Sequence, residues 1–175
     1  MYMLKEAIVL DKTQREIQFK QTNIIQCLGI SNFALLELYS DTSVKIMDKI
    51  STENEIVKRI NYKKLTNTAK KELEKAVENI VLENETRFVN FFNNSKPISI
   101  RRHQLDLLPM VGKKHKLMLL DHLKRKGKFN SFEEIRNIDM MPDPTHIIVS
   151  RIIEEIEGGP DIKYYLFIMP QFKKY

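Results

Sequence analysis

The sequence is short of cysteine, of phosphate-cradling glycine loops and of long apolar runs, and each shortage closes off a class of function. The single cysteine, Cys27, forms no internal disulfide and leaves no pair for a zinc ribbon or redox motif, so a reducing, cytoplasmic setting is expected. No glycine-rich or Walker sequence is present, and no Ser/His/Asp set offers a nucleophile. No apolar run approaches the roughly 20 residues of a membrane span. The opening Met1-Tyr2-Met3-Leu4-Lys5-Glu6 lacks a signal peptide's apolar core, so no targeting segment and no membrane partner are expected. His103, His115, His122 and His146 show no tight ligand spacing, so neither metal nor cofactor is expected. What remains is an ordinary globular composition, 42% hydrophobic and 30% charged over 175 residues, enough for a proper core.

The net charge is +6, and its placement says more than its size. Residues 1–60 hold eight Lys/Arg and eight Asp/Glu. Residues 101–128 hold nine cations against Asp106 and Asp121, whereas 129–175 hold five against eight acids. Basicity concentrated in one window is the expected footprint of phosphate binding. A solvated lysine-rich helix face would look the same, so the content of the window decides.

Residues 1–62 read as short strands of a small OB-like barrel: Ala7–Leu10, Ile24–Leu28, Phe33–Tyr39 and Val44–Met47, with polar breaks at Asp11-Lys12, Gly29–Asn32 and Ser40-Asp41. The period then turns helical. Thr66-Asn67-Thr68 offers N-cap side chains, and Ala69, Leu73, Ala76, Val77, Ile80 and Val81 recur at helical spacing. A second apolar face at Phe88, Val89, Phe91 and Phe92 ends before Pro97, leaving 93–100 as a linker. A helix is expected from about Lys113 to Lys126, stopped by Gly127. Ser131 and Glu134 form a capping box for a helix to about Ile138, Pro142-Asp143-Pro144 forces a turn, and Ile147, Ile148, Ile152 and Ile156 mark a last helix that ends at Gly158-Gly159-Pro160. Tyr164–Ile168 reads as a strand returning to the N-terminal sheet. The expected class is therefore α+β: an OB-like barrel (1–62), a helical domain (63–160), and a C-terminal strand with a basic tail (161–175).

Inside the basic window, Leu107-Leu108-Pro109-Met110-Val111-Gly112-Lys113-Lys114 resembles the turn of helix-hairpin-helix proteins, where two helices flank a Leu-Pro-Gly-hydrophobic-Gly segment. Pro109 stops one helix, and Gly112 is free to adopt a left-handed conformation. The next helix starts at once, so its unpaired amides face outward at the positive end of its dipole and suit a phosphate. Lys113, Lys114 and Lys116 add charge beside them, with Arg101 and Arg102 nearby. Met110 stands where the family has its first glycine. Nucleic-acid-binding residues are thus expected at Arg101, Arg102, Met110, Gly112, Lys113, Lys114 and Lys116. The second turn, Met141-Pro142-Asp143-Pro144, lacks glycine and lysine and follows Asp139. It is read as the packing member of a tandem pair, 100–126 and 131–157.

A wider resemblance spans residues 59–168. Arg59-Ile60-Asn61-Tyr62, Leu65-Thr66, Thr68-Ala69-Lys70, Arg87-Phe88-Val89, Phe91-Phe92-Asn93, Ser131–Ile135, Pro142-Asp143-Pro144 and Lys163–Phe167, with the hairpin itself, resemble an uncharacterised archaeal family. It is a domain of unknown function for which RNA binding has been suggested. The resemblance implies an OB-like barrel joined to a helix-hairpin-helix domain, a cytoplasmic setting, and gene neighbours in translation and transcription. It implies no known activity, and it leans the ligand toward RNA.

Two rivals differ in class. Asp143-Pro144-Thr145-His146 is close to the Val-Asp-Thr-His segment of helix-hairpin-helix DNA glycosylases. Pro144 interrupts the pattern, Asp143 lies 31 residues after Gly112, and the chain leaves little room for a base-flipping pocket between two lobes. The bland reading, a helix start at Asp143, is preferred. Alternatively, the basic face docks on an acidic protein partner. A stacking groove of Phe33 and Tyr39 with Lys20, Lys45, Lys49 and Lys58 is opposed by the neutral balance of that half. The expectation is a non-enzymatic, largely sequence-independent binder of nucleic acid, RNA before DNA.

Overall fold

The computed structural model describes residues 5–53 and 55–169. The chain forms two compact units, residues 1–77 with 153–175, and residues 78–152. The first unit is built on an antiparallel sheet of β1 (Glu6–Ile17), β2 (Lys20–Gly29), β3 (Leu35–Tyr39), β4 (Lys49–Ser51) and β5 (Ile56–Arg59), in the order β4-β1-β2-β3-β5. The sheet curls into a half-barrel. Ala7, Val9, Ile25, Cys27, Leu36 and Leu38 cluster on one face, where Val44 and Ile50 pack. The opposite-facing Ile8, Ile24, Leu28 and Leu35 are also buried. Burial on both faces explains why these strands read as continuous apolar runs rather than as alternation.

A β-bulge at Leu10 changes the phase of β1. Val9 pairs with Cys27 and Asp11 with Gln26, so Leu10 is the extra residue, and Asp11 turns to the face opposite Val9. There Asp11 Oδ2 accepts the Thr66 hydroxyl at 2.5 Å. Thr66 Oγ1 in turn accepts the Ala69 N–H at 3.0 Å, the expected cap of α1 (Asn67–Glu83). Gln26, fully buried, accepts the Thr66 N–H at 2.9 Å and donates to the Lys64 carbonyl at 3.0 Å and Glu37 Oε2 at 3.1 Å. Arg15 stands 3.4 Å from the same Glu37 carboxylate. Asp11, Gln26, Glu37 and Thr66 all find partners in this seam, as burial requires, while the hydroxyl of Thr13, between Asp11 and Arg15 on β1, finds none among the described residues.

Four expectations for this region need correction. The break at Asp11-Lys12 is absent: β1 runs on to Ile17 and reverses through Gln18 (φ 49) and Phe19 (φ 62), the doubly left-handed signature of a tight hairpin turn. Val44–Met47 is no strand, because Lys45 and Asp48 close a turn on themselves (Lys45 N–H to Asp48 Oδ2, 2.8 Å) and Met47 takes φ 73. The strand falls instead at β4. Residues 161–169 form no strand. The amides of Leu166, Phe167 and Ile168 donate to the buried Glu155 carboxylate at 2.6, 3.0 and 3.0 Å, so they are not offered to a sheet edge. The expected basic tail lies largely outside the described residues. Finally, 93–100 is no linker: α2 (Glu85–Asn94) runs into a small hairpin, β6 (Pro97–Ser99) and β7 (Arg102–His103).

The second unit also contains α3 (Lys113–Arg125) and α4 (Phe132–Arg136), and most of α5 (Pro144–Glu157). Its buried side chains include Phe88, Phe92, Leu105, Leu119, Phe132, Ile135, Ile148 and Ile152. Gly127 (φ 93) follows α3 and Gly158 (φ 65) follows α5, the left-handed stops expected after helices. Ser131 caps α4, accepting the Glu134 N–H at 3.2 Å. The Glu134 carboxylate turns instead to the Asn130 N–H at 2.8 Å, so only half of the expected capping box forms.

Candidate functional site

A short 3-10 helix, Gln104–Leu107, precedes the first turn. His103 Nδ1 accepts the Leu105 N–H at 3.1 Å, and Asp106 returns the contact by accepting the His103 N–H at 2.7 Å. The chain then turns over Leu108-Pro109-Met110-Val111, closed by the Val111 N–H on the Leu108 carbonyl at 3.3 Å. Met110 takes φ 61. Proline at the second position and a left-handed third residue define a type II turn, whose third position favours glycine. Gly112 is not left-handed. Its φ of −84 and ψ of −179 place it in extended backbone as the N-cap of α3, correcting the conformation expected from its glycine identity. A Cβ there would meet only His115 Nδ1, at 4.0 Å.

The turn that repeats the first is Ile138-Asp139-Met140-Met141, three residues earlier than the expected Met141-Pro142-Asp143-Pro144. Met141 N–H donates to the Ile138 carbonyl at 3.1 Å, and Met140 takes φ 57. Asp143 then caps α5, accepting the Thr145 N–H at 3.2 Å and the Arg136 guanidinium at 3.0 Å. His115 joins the two turns. Its Nδ1 accepts the Gly112 N–H at 3.3 Å, so its Nε2 carries the proton that meets the Met140 carbonyl at 3.1 Å. Arg151, nearly buried on α5, donates to the Leu107 carbonyl at 3.0 Å.

The expected site residues separate into groups. Lys113 and Lys114 are exposed in the first turn of α3. The amides of Lys113 and Lys114, in that first turn, have no intrahelical acceptor, and Gly112 has no side chain to cap it. Lys116 is engaged: its ammonium lies 2.6 Å from Asp106. Burial pushes the Asp106 carboxyl up, but hydrogen bonds from Lys116 and the His103 amide outweigh it and hold the group below the usual range. Arg101 and Arg102, both exposed, lie on the β6–β7 hairpin. Met110 is 44% exposed at the turn. The remaining cations of the window, Lys124, Arg125, Lys126 and Lys128, lie at or beyond the other end of α3, ~18 Å along its axis, with Arg125 paired to Asp121 at 2.7 Å. The basic window is thus two clusters rather than one. In the first unit, Phe33 is 1% exposed and provides no open stacking surface.

Sequence reasoning missed His115 as the tie between the turns and Met110 as the left-handed residue. Pro109 was the available signal for the second, because proline in the second position of such a turn assigns the left-handed conformation to the next residue.

The architecture is that of an α+β protein with a curled antiparallel half-barrel and a helical unit carrying two matching turns, each leading into a helix. The chain belongs to a family of proteins of unknown function, DUF655, whose model matches residues 3–169. It is 36% identical over 157 residues to the uncharacterized protein MJ0038 of Methanocaldococcus jannaschii, which covers 83% of this chain and 70% of that protein. The crystal structure of Af1531 from Archaeoglobus fulgidus is similar throughout, with a TM-score of 0.81, 34% identity, and coverage of 94% of this chain and 99% of that one.

Proposed function

We propose that this chain binds nucleic acid without catalysing a reaction, RNA in preference to DNA, through a helix-hairpin-helix at 105–126 backed by a second at 131–157. In this reading the half-barrel is OB-like. The observation that carries it is the start of α3. An exposed helix N-terminus without a side-chain cap presents the amides of Lys113 and Lys114 beside their own ammonium groups, and the nearby Asp106 is bound to Lys116. Amides, helix dipole and lysines all favour a phosphate oxygen there. Such contacts carry no base information, so affinity is largely sequence-independent and falls steeply with salt. The preference for RNA rests on the family resemblance.

The test is binding of matched RNA and DNA strands and duplexes across a salt series. Lys113→Glu with Lys114→Glu is expected to weaken every sequence alike and to lower the slope of log K against log salt by roughly 0.7–0.9 per lost phosphate contact. Lys5→Glu with Lys12→Glu changes the net charge equally. Equal weakening by that control pair would reduce the effect to diffuse charge and sink the hairpin reading.

A further inference from the structure

A concave site in the first unit lies outside the hairpins. A cavity of about 390 Å³ opens among residues 33–35, 59–63, 155–158, 165 and 168–169, within the range of roughly 300–1,000 Å³ usual for ligand sites. Buried Phe33 lies in its lining, held at φ 56. The lining residue Ile168 is fixed by the bond from its amide to Glu155. Tyr62 and Tyr165 belong to the lining, Tyr165 37% exposed and the Tyr62 ring carrying the Lys70 ammonium 5.1 Å from its centroid, together with exposed Arg59 and Lys63. These two cations belong to Lys58-Arg59-Ile60-Asn61-Tyr62-Lys63-Lys64, four cations in seven residues with no acid.

The carboxylates lining the cavity accept hydrogen bonds from neighbouring groups. Glu155 accepts three backbone amides, and Glu157 takes the Tyr62 hydroxyl. The cavity joins aromatic rings to two cations, Arg59 and Lys63, that no carboxylate among the described residues pairs. An unstacked base with its flanking phosphates has the matching chemistry: a π face for the rings and anionic oxygens for the cations. A base inside a duplex cannot present its face.

We infer that this cavity takes one unstacked base of a single-stranded nucleic acid, stacked on Tyr165, with the adjoining phosphates on Arg59 and Lys63. The inference rests on the nucleic-acid reading above for its ligand class, but not on the hairpin. The hairpin holds backbone in either strand state, and the cavity selects single strands.

The probes are a fluorescein-labelled ten-residue oligouridylate and a blunt sixteen-base-pair RNA duplex, titrated against the full chain. Tyr165→Ala and, separately, Arg59→Glu with Lys63→Glu are each expected to weaken oligouridylate about five-fold or more, since one stacked base contributes a factor of this order, and to leave the duplex within about two-fold. Tyr62→Phe, which keeps the ring, is expected to retain binding. Circular dichroism confirms that each variant is folded, and an oligouridylate carrying 4-thiouridine should crosslink within 59–63 or at Tyr165 in the unsubstituted chain. If the cavity variants leave oligouridylate binding unchanged while Lys113→Glu with Lys114→Glu weakens it, the cavity proposal fails and the hairpin stands. If the cavity variants weaken it and the hairpin pair does nothing, the reverse holds. Uridine monophosphate competing as well as the oligomer, nucleotide for nucleotide, would make the site one for free nucleotides and overturn the strand proposal.

Discussion

Met110 provides a sharp test of how the first turn is held. Its φ of 61 costs a residue bearing a Cβ roughly 1–2 kcal/mol, because Cβ crowds the following carbonyl. Glycine escapes that penalty but loses about 0.4–1 kcal/mol through the greater freedom of its unfolded chain. Comparing Met110→Gly with the unsubstituted chain would mix this with the lost packing of a side chain that is only partly exposed. Met110→Gly against Met110→Ala removes that complication, since both lack the methionine beyond Cβ. Glycine should be the more stable of the two by about 0.5–1 kcal/mol. Lys71, exposed within α1, supplies the opposite sign: there alanine should exceed glycine by about 0.8–1 kcal/mol. Urea unfolding midpoints at constant slope give the comparison directly. Alanine equal to or better than glycine at 110 would show that the turn imposes no left-handed constraint, and the matching of the two hairpins would lose its basis. Met140, at φ 57, should behave as Met110 does.

Other expectations follow from the same geometry. Glu155→Gln should cost about 2 kcal/mol, the scale of charge-assisted hydrogen bonds, and should speed amide exchange at Leu166, Phe167 and Ile168; unchanged exchange would show that the carboxylate does not hold them. His103 titrates below its ordinary 6.5, because burial and Lys116 outweigh Asp106. Since the folded chain takes up that proton less readily than the unfolded one, its contribution is complete above about 6.5 and is lost as pH falls through the depressed value. His103→Asn keeps a capping side chain without the titration, so its stability should fall less steeply between pH 7 and 5. Burial pushes the Cys27 thiol up to about 12, so a thiol reagent should leave the folded chain unlabelled at pH 8 and react on unfolding. Asp143→Asn should cost less than about 1 kcal/mol, because asparagine caps as well and the ion pair with Arg136 is exposed; a purified chain with base-excising activity that this change abolishes would contradict the non-enzymatic reading.

Where one side chain serves its own neighbourhood, the sequence was legible. Thr66 and Ser131 cap the helices they precede, Pro144 starts one, and Gly127 and Gly158 end two, because each acts within a turn of chain. What escaped depends on partners far along the chain or on residues that carry no turn signal. Gln18-Phe19 makes a two-residue reversal without glycine or asparagine. Glu155 captures amides 11 to 13 residues away, which turned an expected strand into irregular backbone. Within the candidate site, Lys113 and Lys114 stood where reasoning put them, exposed at a helix start. Lys116 did not stand free, because Asp106, ten residues earlier in sequence, meets it through the 3-10 turn. The left-handed residue was misassigned because glycine was weighed by its tolerance rather than by its place after Pro109.

The bulge at Leu10 acts on β1 as a one-letter insertion acts on a reading frame. Every residue after it is read on the face opposite to the one simple alternation would give. Shortening the side chain, as in Leu10→Ala, leaves the frame intact and costs only packing, about 2–5 kcal/mol. Deleting the residue keeps the frame as well, because Val9 opposite Cys27 and Asp11 opposite Gln26 then follow one another in unbroken alternation. What would destroy the frame is Leu10 entering the ladder opposite Gln26, for Asp11 would then fall opposite Ile25 on the inner face, away from Thr66. The cap of α1 is thus set by the phase of a strand more than fifty residues before it.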